Sequence, residues 1–563
     1  MPLKSFVRGL VVSLLFAATA FAQQHQQPSS SMPKLTERVD INVINVDVVV
    51  TDKKGNPVPG LTKDDFQLFE NGVPKTITNF YEVEGKKPSA TPAVATVKPA
   101  AAPAPRPDEV PENMRRRIIF YIDNLSLAPF NRNRVFKDMK QFAKEAMRPG
   151  IDEAMIATFN RSMKVRTPFT RDPQLIQQTL DIIAGESGLG TAGRSNSRDV
   201  INRIKDAQNY DEAISAARSY AEEVNHDLRT SVDSLNALMS TLAGVEGKKI
   251  LVLTTEGFPM QPGREMFYQV DETSREKGWQ GQSTLLEGMQ FDANAQIQSV
   301  AKAANANGIT MYAIHAGGLA ASMEGSTAEN NQPTSYTVTS TALSNSTESL
   351  QMIAEETGGL AAINTNNFAR AFQNIERDLD AYYSLGYRSG TERVDRQRSL
   401  TVRVKNKNYI VRSRRAFVEK STYAEMSDRV IANLLYRTKA NDLHILVKVG
   451  QPQASEDLFK VPVEVQIPME SLTLLPQGEE YMGGFTLFVV VGNKDGDMSD
   501  VAQKTHQVRV PAADYAKIKG KYYAYALDLM MEPGLNKISV GVVDDVSNTS
   551  GFDRQQVIAQ DLR

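Results

Sequence analysis

The sequence predicts an α/β protein: a Rossmann-like, doubly wound central domain, with a small β-domain before it and an all-β sandwich after it. Three observations lead there. Residues 114–390 alternate strand and helix signals, the pattern of a mostly parallel sheet covered on both faces. Residues 38–84 hold short stretches of alternating apolar residues. From residue 441 onward β signals recur, separated by turn residues.

The N-terminus comes first in order. Residues 1–8 carry Lys4 and Arg8 and no acid; residues 9–22 run GLVVSLLFAATAFA and close on Ala20-Phe21-Ala22. A basic start, a short apolar run and a small-residue site make a secretory signal peptide over 1–22, with cleavage expected before Gln23. The run is shorter than the ~20 apolar residues of a spanning helix. No later stretch is long and apolar enough to span, so no integral membrane segment is expected after cleavage. Residues 23–37 are polar and read as disordered. In the β-domain, Val39, Ile41 and Val43 alternate with polar residues. Val46, Val48 and Val50 continue one residue out of phase, which suggests a bulge at Ile44-Asn45. Phe66–Phe69 and Thr76–Phe80 are further strands, joined through Glu70-Asn71-Gly72. Residues 85–112 are rich in Pro and Ala and read as a semi-extended linker.

The central domain is expected over 113–418. Ile118–Ile122, Ala154–Phe159, Lys249–Thr254, Thr310–Ile314 and Leu360–Ile363 read as its strands. Helical faces lie between them: Val135, Phe136, Met139, Phe142, Ala143, Ala146 and Met147; then Val232, Leu235, Leu238, Met239 and Leu242; then Ile297, Val300, Ala301 and Ala304. A helix over 346–357 stops at Gly358-Gly359, and Phe368, Ala371, Phe372, Ile375 and Leu379 form a last face. Residues 194–230 and 318–345 break the pattern and read as surface insertions. Tyr383–Tyr387 and Leu400–Val418 look like strands. The Lys- and Arg-rich stretch 396–415 reads as the solvated face of an edge strand rather than a patch for an anionic partner. Residues 419–440 read as a connecting helix and 441–563 as the sandwich.

Composition narrows the function. A formal net charge of −2 argues against a protein that neutralises phosphates along nucleic acid. The chain has no Cys, so disulfides, thiolate metal sites and a Cys nucleophile are excluded. With the signal peptide, this favours a periplasmic or secreted bacterial protein. The five histidines are scattered and make no zinc motif. Gly188-x-Gly190-x-x-Gly193 matches the dinucleotide spacing, but it follows an apparent helix rather than a strand. Asn493–Asp497 lacks the order and terminal Glu of a Ca²⁺ loop and reads as a hairpin turn.

Ligands of open α/β sheets bind beyond the carboxyl ends of the strands. Those positions are Asp123-Asn124-Leu125-Ser126-Leu127, Thr255-Glu256-Gly257 and His315-Ala316-Gly317. A buried strand ending in Asp, an amphipathic helix after it and a later ILVLTTEG resemble the von Willebrand factor A (VWA) family. The phrases VDVVVTDKKGNPVPGLTKDDFQLFENGVPKTITNF and YYSLGYRSG are similar to VWA-like proteins known mainly from Acidobacteria, and the resemblance spans about residues 38–418. It implies a metal-ion-dependent adhesion site of the form D-x-S-x-S with a distant Thr and Asp, holding Mg²⁺. Asp123 matches the first Asp, Thr191 the Thr, and Glu256 stands in place of the distant Asp. Leu125 and Leu127 replace the two serines, and Ser126 is out of register. A degenerate site without tight metal binding is therefore expected, over weak Mg²⁺ binding through Asp123, Ser126, Thr191 and Glu256. The resulting reading is an exported protein-binding, adhesion or scaffold module that is not an enzyme, with no cofactor and an unidentified protein partner. A hydrolase using Asp123, Glu256 and His315 is the alternative, and a structural component of a surface assembly is a third.

Overall fold

The computed structural model describes residues 43–84, 87–88, 112, 115–279, 284–319, 335–389, 394–438 and 440–560. The signal peptide, residues 23–37 and nearly all of the expected linker lie outside the described residues. The chain divides into two compact units, one holding 41–240 and 246–419, the other holding 420–563 with 241–245.

The first unit opens with β1 (Val43–Thr51), β2 (Phe66–Glu70), β3 (Val73–Lys75), β4 (Ile77–Glu84) and β5 (Lys87–Pro88). The central layer follows: β6 (Arg116–Asp123), α1 (Pro129–Ala146), β7 (Asp152–Phe159), β8 (Met163–Thr170), α2 (Pro173–Ala184), α3 (Gly190–Asp206), α4 (Tyr210–Thr241), β9 (Lys248–Thr255) and α5 (Arg264–Lys277). Next come α6 (Thr284–Gly288), α7 (Asn294–Ala306), β10 (Ile309–His315), α8 (Tyr336–Thr357), β11 (Ala361–Ala362) and α9 (Phe368–Asp380). The unit closes with β12 (Ala381–Arg388), β13 (Arg396–Val404), β14 (Ile410–Ser413) and β15 (Ala416–Glu419).

The central sheet has the order β11-β10-β9-β6-β7-β8, parallel except for β8. From β6 the chain winds outward through β7 and β8, then returns to place β9 on the other side of β6. The β6–β9 boundary is thus the topological switch point. Ile118, Phe120 and Ile122 pack with α1, α2 and α9 on one face. Ile119 and Tyr121 are as fully buried on the other, where the Tyr121 hydroxyl reaches Ser234 on α4. Burial on both faces explains why these strands read as unbroken apolar runs. Each such Val, Leu, Ile or Phe contributes about 1.5–3 kcal/mol relative to exposure. Strand β8 gave no clear signal because it is an antiparallel edge strand with only Thr167 fully buried.

Several elements differ from expectation. Residues 43–84 make no sheet of their own. β1 lies between β12 and β14, β4 pairs with β12, and β2 pairs with β13, giving the orders β14-β1-β12-β4-β5 and β15-β13-β2-β3. Val46, Val48, Phe66, Leu68, Leu385, Tyr387 and Leu400 form the shared core. The bulge expected at Ile44-Asn45 is absent, since β1 runs in register from Val43 opposite Arg388 to Val48 opposite Tyr383. The irregularity sits across the sheet, at Gly386/Tyr387 where β12 meets β4. The basic stretch is the face of an edge strand only in part: β14 is at the edge of its sheet. β13 is internal, Arg398 is buried against Glu70 and Glu419, and Arg412 grips Asp378.

The insertion at 194–230 forms most of α3 and the start of α4 and has its own apolar core. Ile204, Ala213 and Ala217 pack with Met266, Phe267 and Val270 of α5 and Val338 of α8. It is therefore more than a surface excursion. Helix α8 begins ten residues before the expected 346, with Ser335 capping its N-terminus through the Val338 amide.

The second unit opens with α10 (Thr422–Tyr436), capped by Ser421. Strands β16 (Leu446–Val449), β17 (Gln453–Ser455), β18 (Leu458–Pro468), β19 (Leu475–Gln477), β20 (Glu480–Asn493), β21 (Ala502–Pro511), β22 (Tyr522–Met531), β23 (Gly534–Asp544) and β24 (Ser550–Ala559) follow. They form two antiparallel sheets, β16-β18-β17 with β22 beside β18, and β19-β20-β23-β24 with β21 beside β20. Alternate residues such as Val461, Val463, Phe485, Leu529 and Val540 fill one core between them. Met426, Val430 and Leu434 of α10 cover Phe488, Val490, Val543 and Phe552 on the outer face of the second sheet. Asn493 caps the turn after β20 through the Asp495 and Asp497 amides, as a hairpin turn requires.

Candidate functional site

At the switch point, β6 ends on Asp123 and β9 on Thr255. The chain leaving β6 makes one tight turn, with the Leu127 amide donating to the Asp123 carbonyl at 3.1 Å. That turn drives Leu127 into the core, where it is fully buried, and swings Ser126 back over Asp123. Ser126 Oγ donates to Asp123 Oδ2 at 2.7 Å, and Thr255 Oγ1 donates to the same oxygen at 2.8 Å. The two hydroxyl oxygens lie 2.9 Å apart. The Glu256 amide closes the cluster by donating to Ser126 Oγ at 3.0 Å. Burial pushes the Asp123 carboxyl above its usual range, against the opposing pull of these hydrogen bonds.

Glu256 is held elsewhere. Its Oε1 accepts from the Ala128 amide at 2.8 Å and from Asn131 Nδ2 at 3.1 Å, and its Oε2 accepts from the Arg194 guanidinium. Ala128 is the N-cap position of α1 and has no side-chain cap of its own. The Glu256 carboxylate takes that role across the sheet, at the positive end of the helix.

The structure brings Asp123 and Ser126 together, and brings Glu256 to them through its backbone amide but not its carboxylate. It does not bring Thr191, which lies exposed in the first turn of α3; Thr255 occupies the place beside Asp123. Thr255 was legible as the second threonine of LTTEG, at the strand end. Arg194 had no sequence signal, because its partner is 62 residues away. Gly188 and Gly190 serve close packing: a Cβ on either would collide with the backbone of the 126–128 loop. His315 is buried and hydrogen-bonds the Glu256 backbone, its Nδ1 has no hydrogen-bond partner among the described residues, and burial lowers its pKa.

Above these groups lies a cleft of about 400 Å³, walled by the sheet top and by α3, α4, α5 and α8. Leu125, Ile201, Leu228, Phe258 and Leu343 give it apolar surface; Glu223, Asp227, Glu265, Arg194 and Arg198 give it charge. Desolvation raises the Asp227 and Glu265 carboxyls, and Tyr220 donates a hydrogen bond to Glu265.

These residues do not fit a divalent cation. Mg²⁺ wants several oxygens free to face it. Here the two hydroxyls are directed at Asp123, the second carboxylate is neutralised by Arg194 and the α1 amide, and Leu125 and Leu127 offer no oxygen. Among the described residues no group of three His, Asp or Glu is placed to hold a metal. No helix among them is long and apolar enough to cross a membrane.

No protein-family model matches this chain, and no curated protein matches it in sequence. Solved structures resemble it weakly. An aerotolerance-related membrane protein from Bacteroides fragilis is 13% identical, with a TM-score of 0.24, covering 47% of this chain and 98% of that one. BatB from Bacteroides thetaiotaomicron is 12% identical, with a TM-score of 0.21 and the same coverage. The PilB minor pilin from Streptococcus sanguinis is 13% identical, with a TM-score of 0.26, covering 48% of this chain and 63% of that one. At these scores the likenesses carry no inference about what this chain does.

Proposed function

We propose that this chain is an exported, VWA-type binding module that takes a protein partner in its sheet-top cleft without a divalent cation. The strand order and the acid at the end of the first central strand support the type; the signal sequence supports export. One observation carries the mode of binding. Glu256, where the family places a metal ligand, is neutralised internally by Arg194 and the N-terminus of α1. A partner then meets a shaped, mixed polar and apolar cleft rather than a metal ion. The cleft volume lies within the range of about 300–1,000 Å³ that ligand sites occupy, enough to seat one or two side chains of a partner. The reading invokes no catalytic step.

Affinity capture from a periplasmic extract, with Mg²⁺ and with EDTA, tests this. Capture of the same partner under both conditions is expected. Loss on chelation would overturn the metal-free mode.

A further inference from the structure

A second cleft, of about 390 Å³, opens at the opposite end of the central sheet, where β9 and β10 begin. Its other wall comes from β1, β12 and the chain around β14. Lys248 stands at its base, with its ammonium 3.3 Å from Asp47 and 3.2 Å from the centroid of the Tyr382 ring. Arg412 is committed to Asp378, with both amino groups on the two carboxylate oxygens. Arg414 is not committed in this way. Its Nη2 donates to the Asn45 carbonyl at 2.7 Å, and among the described residues that is its one protein acceptor.

Lys248 and Arg414 therefore share Asp47 as their acidic partner, which leaves one positive charge in excess. Burial lowers the pKa of both groups, against the opposing pull of Asp47. The hydroxyl-bearing residues Thr310, Ser384 and Ser413 line the same cleft. A guanidinium with a free edge, an ammonium and several hydroxyl donors match a tetrahedral oxyanion, which accepts from all of them at once. The volume falls in the ~300–1,000 Å³ range of small-molecule sites and leaves room for an ester substituent.

We infer that this cleft binds a phosphate group, held by the free edge of Arg414 and the ammonium of Lys248. The site is independent of the sheet-top cleft, and neither reading depends on the other.

The test is calorimetric titration of the full chain with inorganic phosphate, with glycerol phosphate, and with chloride at matched ionic strength. The wild-type protein is expected to bind both phosphates saturably. Arg414→Gln and Lys248→Met should each weaken binding about tenfold or more, with Arg414→Lys intermediate because it keeps charge but loses the fork. Tighter binding of the ester supports an esterified ligand, tighter binding of the free ion supports phosphate itself, and both support the site. Thermal melts of the variants without ligand establish that they fold; if Arg414→Gln does not, Lys248→Met carries the comparison. Absence of saturable binding, equal binding by the variants, or the same response to chloride would overturn the inference.

Discussion

Leu127, which the resemblance to VWA proteins sets opposite a serine, is a core residue with no exposure. Leu127→Ser should lower stability by about 2–5 kcal/mol through the cavity and the buried hydroxyl. Mg²⁺ should not restore it, as thermal melts with and without the ion will read. Glu265 gives a pH signature. Its folded pKa is raised by burial above the ordinary carboxyl value of 4.5. A raised folded pKa means that its contribution is fully present below the ordinary value and is lost as pH rises through the folded one. Glu265→Gln keeps the acceptor for Tyr220 and removes the charge. The variant should therefore melt above wild type at neutral pH, with the gap closing toward pH 4. A constant gap across that range would contradict the assignment. At this scale the sequence revealed Asp123, Ser126 and Glu256 because each lies at or just beyond the end of an apolar strand. It concealed Arg194, whose role depends on where a helical insertion folds.

Among the elements, the central strands were legible because burial on both faces imposes apolar runs. The edge strand β8 was not, because little of it is buried. The insertion α3–α4 read as polar surface, since its apolar residues form a narrow stripe that meets α5 rather than the sheet. Ile204 is fully buried in that stripe. Ile204→Ala should cost about 2–5 kcal/mol in chemical denaturation. A change near zero would mean that the insertion is loosely attached. The strands of 43–84 were recognised, but their partners were not, since alternation marks a strand and not the neighbour some 300 residues on. Deleting 43–84 leaves β12 without β1 and β4, and β13 without β2. The truncated chain should aggregate on expression, because open edges template pairing.

For the whole molecule, the sequence indicated an α/β centre and a C-terminal sandwich, and both are present. Its separate N-terminal β-domain instead merges with strands from beyond the central layer. Residues 420–563 hold a sandwich core and a covering helix of their own. Expressed alone, they should melt cooperatively with a β-rich circular dichroism spectrum. Gly193 offers direct access to the sheet-top cleft. This residue lines the cleft, and a Cβ built there meets nothing within 4 Å. Gly193→Trp should fill the cleft while leaving the fold intact. The decisive measurement is affinity capture by wild type and Gly193→Trp in parallel, in EDTA throughout. The cleft reading predicts a partner retained by wild type and lost by the variant. Equal capture by both, or capture by neither until Mg²⁺ is restored, would contradict it.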